Sequence, residues 1–322
     1  MKRLAFLAAA LCGFALHNAA AAATYPDRPI RMIVAFGPGT STDITARLVA
    51  EKMATVLGQP VIVENRAGAG GSIGTDLVAK AAPDGYTITL GTVGTLAINK
   101  SLYKRLPYDP STSFVPIAMV GYTPTLLVTR PNAPYATVQE LVAYAKANPN
   151  KITFASAGPG TSGHLAGALL GEMSKTDMLH VPYKEGAQAV TAVMSGETDF
   201  LFYHPTAVMP QVRAGRLKAL AASAARRSAL APDVPTMQES GFAGFDLTAW
   251  FMLAAPANIP ANVQATLSRA AAQVLGDPTV QKRLAELGVE PSTLATADLP
   301  PFIKEETAKW AHIVVQANAA LD

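Results

Sequence analysis

The chain has 322 residues, 50% of them apolar and 15% charged, with 26 basic against 23 acidic side chains. That composition excludes a disordered chain, and the near balance of charge leaves no basic footprint for nucleic acid. The length exceeds a comfortable single core, so two lobes are expected.

The first segment concerns export. Met1-Lys2-Arg3 is a short basic start, residues 4–16 are apolar, and an Ala-rich stretch ends in Ala21-Ala22-Ala23. This is the order of a cleavable signal peptide, with the cut expected after Ala23. A membrane anchor is the alternative; the apolar run is short for it, and no stop-transfer pattern follows. Cys12 is the only cysteine, and Ala9-Ala10-Leu11 before it makes a poor lipobox. Removal of residues 1–23 leaves no disulfide possible. No later segment reaches 18 uninterrupted apolar residues, so the remainder is expected to be soluble.

Strands and helices then alternate. Residues 30–36 (IRMIVAF) read as a buried strand. Residues 43–57 carry helical spacing at Ile44, Leu48, Val49, Met53 and Val56. Residues 59–64 form the second strand, 72–82 a helix stopped by Pro83-Asp84-Gly85, and 86–91 the third strand. This order predicts a parallel sheet with right-handed crossovers. A second series follows, with strands at 125–129, 151–156, 178–182, 199–203 and 217–223. Its helices fall at 137–147, 162–173, 187–195 and 205–214; Thr137 and Glu140 mark the first as capped. The tail from about Pro260 reads as helices that pack back on the first lobe. The fold class is therefore α/β, with a parallel-rich sheet in each of two lobes. The expected division puts residues 24–122 and 225–322 in one lobe and 123–224 in the other. The chain crosses near residues 119–124 and again within 224–251, which makes a hinge.

The most informative feature is a repeat. Gly37-Pro38-Gly39-Thr40-Ser41 recurs letter for letter as Gly158-Pro159-Gly160-Thr161-Ser162. Each copy follows a strand and precedes a helix, in different lobes. Glycine permits close backbone approach and positive φ. The first helical turn exposes unpaired N–H groups, and the helix dipole favours an anion there. Thr40, Ser41, Thr161 and Ser162 add uncharged hydroxyl donors. Two such loops facing each other would clamp a carboxylate. Hydrogen bonds to a charged group contribute roughly 1.5–3 kcal/mol each, so three or four suffice for micromolar affinity after ordering costs. The plainer reading makes both loops ordinary capped turns, and Asp43 fits that reading as a capping acid. Thr92 and Thr95 follow the third strand at the same sheet edge. Tyr183, Tyr203 and His204 end strands of the second lobe and are candidate walls, with Phe36 a candidate stacking partner opposite. Core packing is the alternative for each aromatic, and a structural role is the alternative for His164 and His180.

Three patterns are decoys. Gly70-Gly71-Ser72-Ile73-Gly74 matches G-x-S-x-G, but Asn65 to Gly70 separate it from the strand that a nucleophile elbow needs. The glycines from Gly68 to Gly74 miss the dinucleotide spacing. The histidines show no metal spacing, so no cofactor or metal is expected.

The ordered blocks YPDRPIRMIVAF, TDITARLVAEKM, VIVENRAGAGGSIGTDLVAKAAPDGYT, INKSLYKRLPYDP, SGHLAGALL, HVPYK, PDVPTMQESGF and WFMLAAPANIP, with Lys309-Trp310, carry a resemblance. From Tyr25 to the C-terminus the chain resembles the solute-binding proteins of tripartite tricarboxylate transporters, the Bug family. The resemblance implies a type II periplasmic-binding-protein fold, a periplasmic location and no enzymatic activity. It implies a small carboxylate ligand held by amides, hydroxyls and water, and membrane subunits of the transporter as partners. Carried onto this chain, the binding loops are Gly37 through Thr42 to Asp43, Thr92 to Thr95, and Ser156 through Gly158 and Gly160 to His164. A monomer is expected. Two departures stand out. The first loop has fewer consecutive glycines than the family usually shows. Tyr203-His204 replaces a small acidic or amide pair, which suits a larger or aromatic acid such as a benzene dicarboxylate. A sensory protein presenting the same acid, or a hydrolase using Ser72, are the alternatives from other classes.

Overall fold

The computed structural model describes residues 25–321, so the expected leader, its cleavage after Ala23 and the setting of Cys12 lie outside the described residues. The first sheet grows from three strands, β1 (Ile30–Val34), β2 (Val61–Asn65) and β3 (Thr87–Thr92). β1 pairs in parallel with both of the others. The connecting helices are α1 (Ser41–Leu57) and α2 (Ser72–Ala79). α1 starts at the Thr40 cap and stops at Gly58, whose φ of 68° closes the helix in the left-handed conformation that glycine adopts freely. Its inner face buries Val49 and Met53 completely, which contributes about 1.5–3 kcal/mol per side chain.

After β3 the chain makes a π-helical turn (Gly94–Ile98) into α3 (Asn99–Leu102), then runs as β4 (Phe114–Thr123) toward the second lobe. The second sheet holds β5 (Leu126–Thr129), β6 (Ile152–Ser156), β7 (Met178–Pro182), β8 (Phe200–Tyr203) and β9 (Lys218–Ala222), in the order β7-β6-β8-β5-β9. Its helices are α4 (Val138–Ala147), α5 (Ser162–Ser174), α6 (Gly186–Ser195) and α7 (Pro205–Arg213). β10 (Ala249–Pro256) then re-enters the first sheet between β3 and β4, antiparallel to both. Both sheets are thus mixed: parallel where strand and helix alternate, antiparallel where the strands next to the crossings join.

The return crossing read from sequence extended to Phe251, but β10 already begins at Ala249. All eight of its residues are buried, and a continuous apolar run has no period that marks it as a strand. The two crossings are laced together. Ser223 Oγ accepts from the Thr125 amide and hydroxyl, both at 2.9 Å, and donates to the Leu247 carbonyl at 2.8 Å. Backbone bonds join the same three residues. The two crossings are therefore tied at one point, as a hinge requires.

The tail adds α8 (Ala261–Gly276), α9 (Pro278–Glu286), the two-residue β11 (Glu290–Pro291) at the first sheet's edge, and α10 (Leu299–Gln316). α8 packs on α1 in the first lobe, as expected of the tail. α10 does more: it touches the π turn and α3 of the first lobe and also α5 of the second. Its Trp310 is fully buried in an apolar cluster that contains Leu96 and Trp250 from one lobe and Phe154 and Leu165 from the other.

Candidate binding cleft

Both copies of the repeated pentapeptide leave the carboxyl end of a strand and open a helix, β1 into α1 and β6 into α5. Thr40 and Thr161 are the caps, in nearly the same extended conformation. Each hydroxyl donates to a glycine carbonyl at 2.8 Å, Gly37 in one loop and Gly158 in the other. Each also accepts the amide three residues on, that of Asp43 or His164, at 3.4 Å. Gly39 and Gly160 adopt φ of 76° and 80°, which a side chain would strain. The amides of Ser41 and Thr42, and of Ser162 and Gly163, belong to first turns and have no intrahelical acceptor.

The two helix starts border one narrow cavity of about 40 Å³, room for a few water-sized groups. Phe36, Thr40, Ser41 and Thr42 line it from the first loop, and Thr92, Val93 and Gly94 from the end of β3. Ala157, Thr161, Ser162 and Gly163 line it from the second lobe, with Tyr203 and His204 at the end of β8. Ala249, Trp250 and Phe251 of β10 complete the wall. None of these residues carries a fixed charge. Burial holds the His204 imidazole near a pKa of about 4, against a weaker pull from the Pro124 carbonyl, so it is neutral at pH 7. Burial, and then the charge of Glu185, raise the Tyr203 phenol above its ordinary range. Two polar atoms in the wall, Ser41 Oγ and His204 Nδ1, are buried without a hydrogen-bond partner.

The lobes touch around this cavity. A Cβ on Gly70 would fall 2.0 Å from the Pro159 carbonyl oxygen, and one on Gly160 would fall 2.2 Å from Asn99 Oδ1. The Glu185 carboxylate presses on Gly37, and Thr206 Oγ1 donates to the Leu287 carbonyl. The structure is that of a closed cleft.

Several of the candidate residues stand behind the wall of this cavity. Asp43 faces its own loop: Oδ2 accepts from Gly39 N at 2.9 Å and Arg47 Nε at 3.1 Å, and Oδ1 accepts from Asn65 Nδ2 at 2.9 Å. Its capping bond thus reaches Gly39, one residue before the cap. Burial raises its pKa, but these bonds outweigh burial and hold the carboxyl below its ordinary value. His164 occupies the matching position, where Nδ1 accepts from Gly160 N at 3.3 Å. His180 stacks on it with centroids 4.1 Å apart, and His180 Nε2 lies 2.7 Å from Ser156 Oγ. Ser156 Oγ in turn bonds the Gly158 amide and carbonyl, both at 3.1 Å. Burial lowers His164 to about 4; burial and then the His164 charge lower His180 to about 3. Thr95 is spent on Thr92, from whose amide its hydroxyl accepts at 3.1 Å. Gly37 and Gly158 offer carbonyls to the caps, and the Gly39 and Gly160 amides are taken by Asp43 and His164. Tyr183 turns away, donating to Glu197 Oε1 at 2.7 Å.

Sequence reasoning missed Trp250 and Phe251 as cleft walls and Glu185 at the lobe contact. The first two lie in the run without polar markers. Glu185 caps α6 and reads as nothing more. Ser72 opens a helix after the left-handed Gly71, and its Oγ accepts from Asn99 Nδ2 at 3.2 Å, so it is no strand-end nucleophile. Among the described residues no group of three or more potential metal ligands forms.

A family model described as tripartite tricarboxylate transporter family receptor matches residues 45–319. Protein BugT of Bordetella pertussis is 38% identical over 299 residues, spanning 92% of this chain and 92% of that protein. A solved R. palustris structure with adipate has a TM-score of 0.89 at 31% identity, covering 92% of this chain and 99% of the other. MatC from Rhodopseudomonas palustris with bound malate has a TM-score of 0.86 at 33% identity, covering 90% and 100%. The chain belongs to the tripartite tricarboxylate transporter receptor family, the periplasmic solute-binding proteins that include the Bug proteins, which are receptors and not enzymes.

Proposed function

We propose that this receptor captures a small carboxylate between its lobes, in the periplasm, and presents the closed form to the membrane subunits of a tripartite transporter. The leader would be cut after Ala23 and the mature chain would act as a monomer. The lobes would be residues 24–122 with 225–322, and 123–224. One observation carries the reading: two helix N-termini open on a single cavity whose lining holds hydroxyls, amides and a neutral imidazole but no cation or carboxylate. Such a site stabilises an anion by oriented dipoles, and Ser41 Oγ waits there for an acceptor. The adipate and malate in two relatives' structures support the same chemistry. The ring-bearing wall of Phe36, Tyr203 and His204 supports a dicarboxylate or an aromatic acid.

Ligand binding would favour the closed state by contacting both loops at once. Native mass spectrometry of the purified protein should show a retained acid, and calorimetry across malate, adipate and phthalate should find one that binds near micromolar. Binding of amines or neutral sugars, with every acid silent, would overturn the reading. Tight binding of short aliphatic acids alone would remove the aromatic part of it.

A further inference from the structure

The chain has two tryptophans, both essentially inaccessible, and a single carboxylate holds them. Trp250 Nε1 donates to Glu306 Oε2 at 2.8 Å, and Trp310 Nε1 donates to the same oxygen at 2.9 Å. The other oxygen lies 3.5 Å from Lys309 Nζ. Glu306 sits on α10, more than fifty residues beyond Trp250, and shares no element with the cleft.

Trp250 has a special place. One side of it lines the ligand cavity. Another side lines a separate cavity of about 320 Å³, bounded by Pro124, Ala224 and Ala225 at the two crossings and by Glu306 and Lys309 on α10. Trp250 thus stands between the cleft and the hinge. It pairs with Tyr122 across β4 and β10, and Phe302 of α10 meets it edge-on at 5.6 Å. Open space behind a buried ring gives it somewhere to go. What fixes the ring is the hydrogen bond at Nε1, since a buried indole N–H needs an acceptor.

We infer that Glu306 is a positioning residue for the binding cleft: by holding Trp250 Nε1 it sets the wall that the ligand meets and ties that wall to the C-terminal helix. The inference rests on the cleft being the ligand site, but its first test does not need a ligand. In a Trp310→Phe background Trp250 is the sole tryptophan, and excitation beyond the tyrosine absorption band reads it alone. Adding Glu306→Leu there should shift its emission to the red and raise acrylamide quenching about threefold, while far-UV circular dichroism stays unchanged. Glu306→Gln keeps an oxygen acceptor and should leave emission as it was. The second arm uses malate and adipate as probes. In the Trp310→Phe background Glu306→Leu should weaken the better binder about tenfold, and should add almost nothing once Trp250→Phe is also present, where no indole N–H is left to hold. An equal loss in both backgrounds would mean a merely structural role and would overturn the inference, as would unchanged Trp250 emission. Should neither probe bind the unaltered protein, the carboxylate reading loses its support while the emission result still decides the role of Glu306.

Discussion

The two pentapeptide loops have the same five letters and almost the same backbone, yet different groups brace them. In the first, an ionised carboxylate receives the Gly39 amide, steadied by Arg47 and Asn65. In the second, a neutral imidazole receives the Gly160 amide, steadied by a second stacked imidazole. The pentapeptide dictates the turn and the cap. The residue two places beyond it chooses the brace, and with it how the loop answers to acid and to crowding from the other lobe. Each half of that contrast can be broken separately.

The largest effect should come from the glycines. A Cβ on Gly39 would meet nothing within 4 Å, so Gly39→Ala carries only the left-handed strain of about 1–2 kcal/mol. A Cβ on Gly160 would fall 2.2 Å from Asn99 Oδ1 and 2.9 Å from Leu102 Cδ2, both in the opposite lobe. Overpacking of that kind costs about 1–3 kcal/mol beyond the strain, and here it acts on closure. Gly160→Ala should therefore bind the best acid at least about fivefold more weakly than Gly39→Ala does. Small-angle scattering should show the first variant remaining open with that acid present. Equal behaviour of the two alanines would mean that the closed lobe contact is not the bound state.

Acid should separate the loops next. His164 titrates near 4 in the folded chain against 6.5 when free, so the unfolded chain binds the proton first. Stability that is complete above about pH 6.5 should then fall as pH drops toward 4, by roughly 3 kcal/mol. His180 adds to the same trend, again through burial first. Asp43 works lower down: its folded pKa is depressed, so its contribution is present above the ordinary carboxylate range and disappears only as pH falls through the folded value. Melting curves from pH 7 to pH 4 should show the loss, and His164→Asn should flatten much of it. Hydrogen exchange should report Gly160 losing protection at a higher pH than Gly39. The reverse order would assign the acid response to the wrong loop.

Asp43→Asn should be milder. Asparagine keeps an acceptor for Gly39 but forfeits the charge facing Arg47, whose side chain is half exposed. Allowing for that exposure, a loss of about 1 kcal/mol at pH 7 is expected, shrinking as acid protonates the carboxyl and the two forms become alike in charge. Urea titrations at pH 7 and at successively lower pH read this directly.

What the sequence made legible follows from the same contrast. The loops were visible because glycine, threonine and serine are the residues that a tight turn and a helix start demand. Asp43 was recognisable as a capping acid from its distance to Thr40, whereas histidine is not a usual capping partner, so nothing flagged His164 as the second brace. The parallel strands announced themselves through alternation with helices. β4 and β10 did not, since a strand buried on both faces has no polar side to keep time with. For that reason Trp250 and Phe251 stayed hidden as cleft walls, and the return crossing was drawn too long. Tyr183 shows the opposite error: a strand-end position brought it to the right edge, but Glu197 offers its hydroxyl a nearer partner.

The smallest predicted difference is zero, and it tests what the repeat itself controls. Thr40 and Thr161 have matching capping geometry, with the same 2.8 Å bond to a glycine carbonyl and the same 3.4 Å bond from the amide three residues on. Loss of such a cap costs about 1 kcal/mol. Thr40→Ala and Thr161→Ala should therefore lower the denaturation midpoint by equal amounts at pH 7, where both braces are in their working protonation states. At pH 4.5 the Thr161 variant should become the weaker of the two, because its loop then begins to lose the imidazole as well as the hydroxyl. Inequality already at pH 7 would show that the flanking brace, rather than the shared pentapeptide, carries the cap energy.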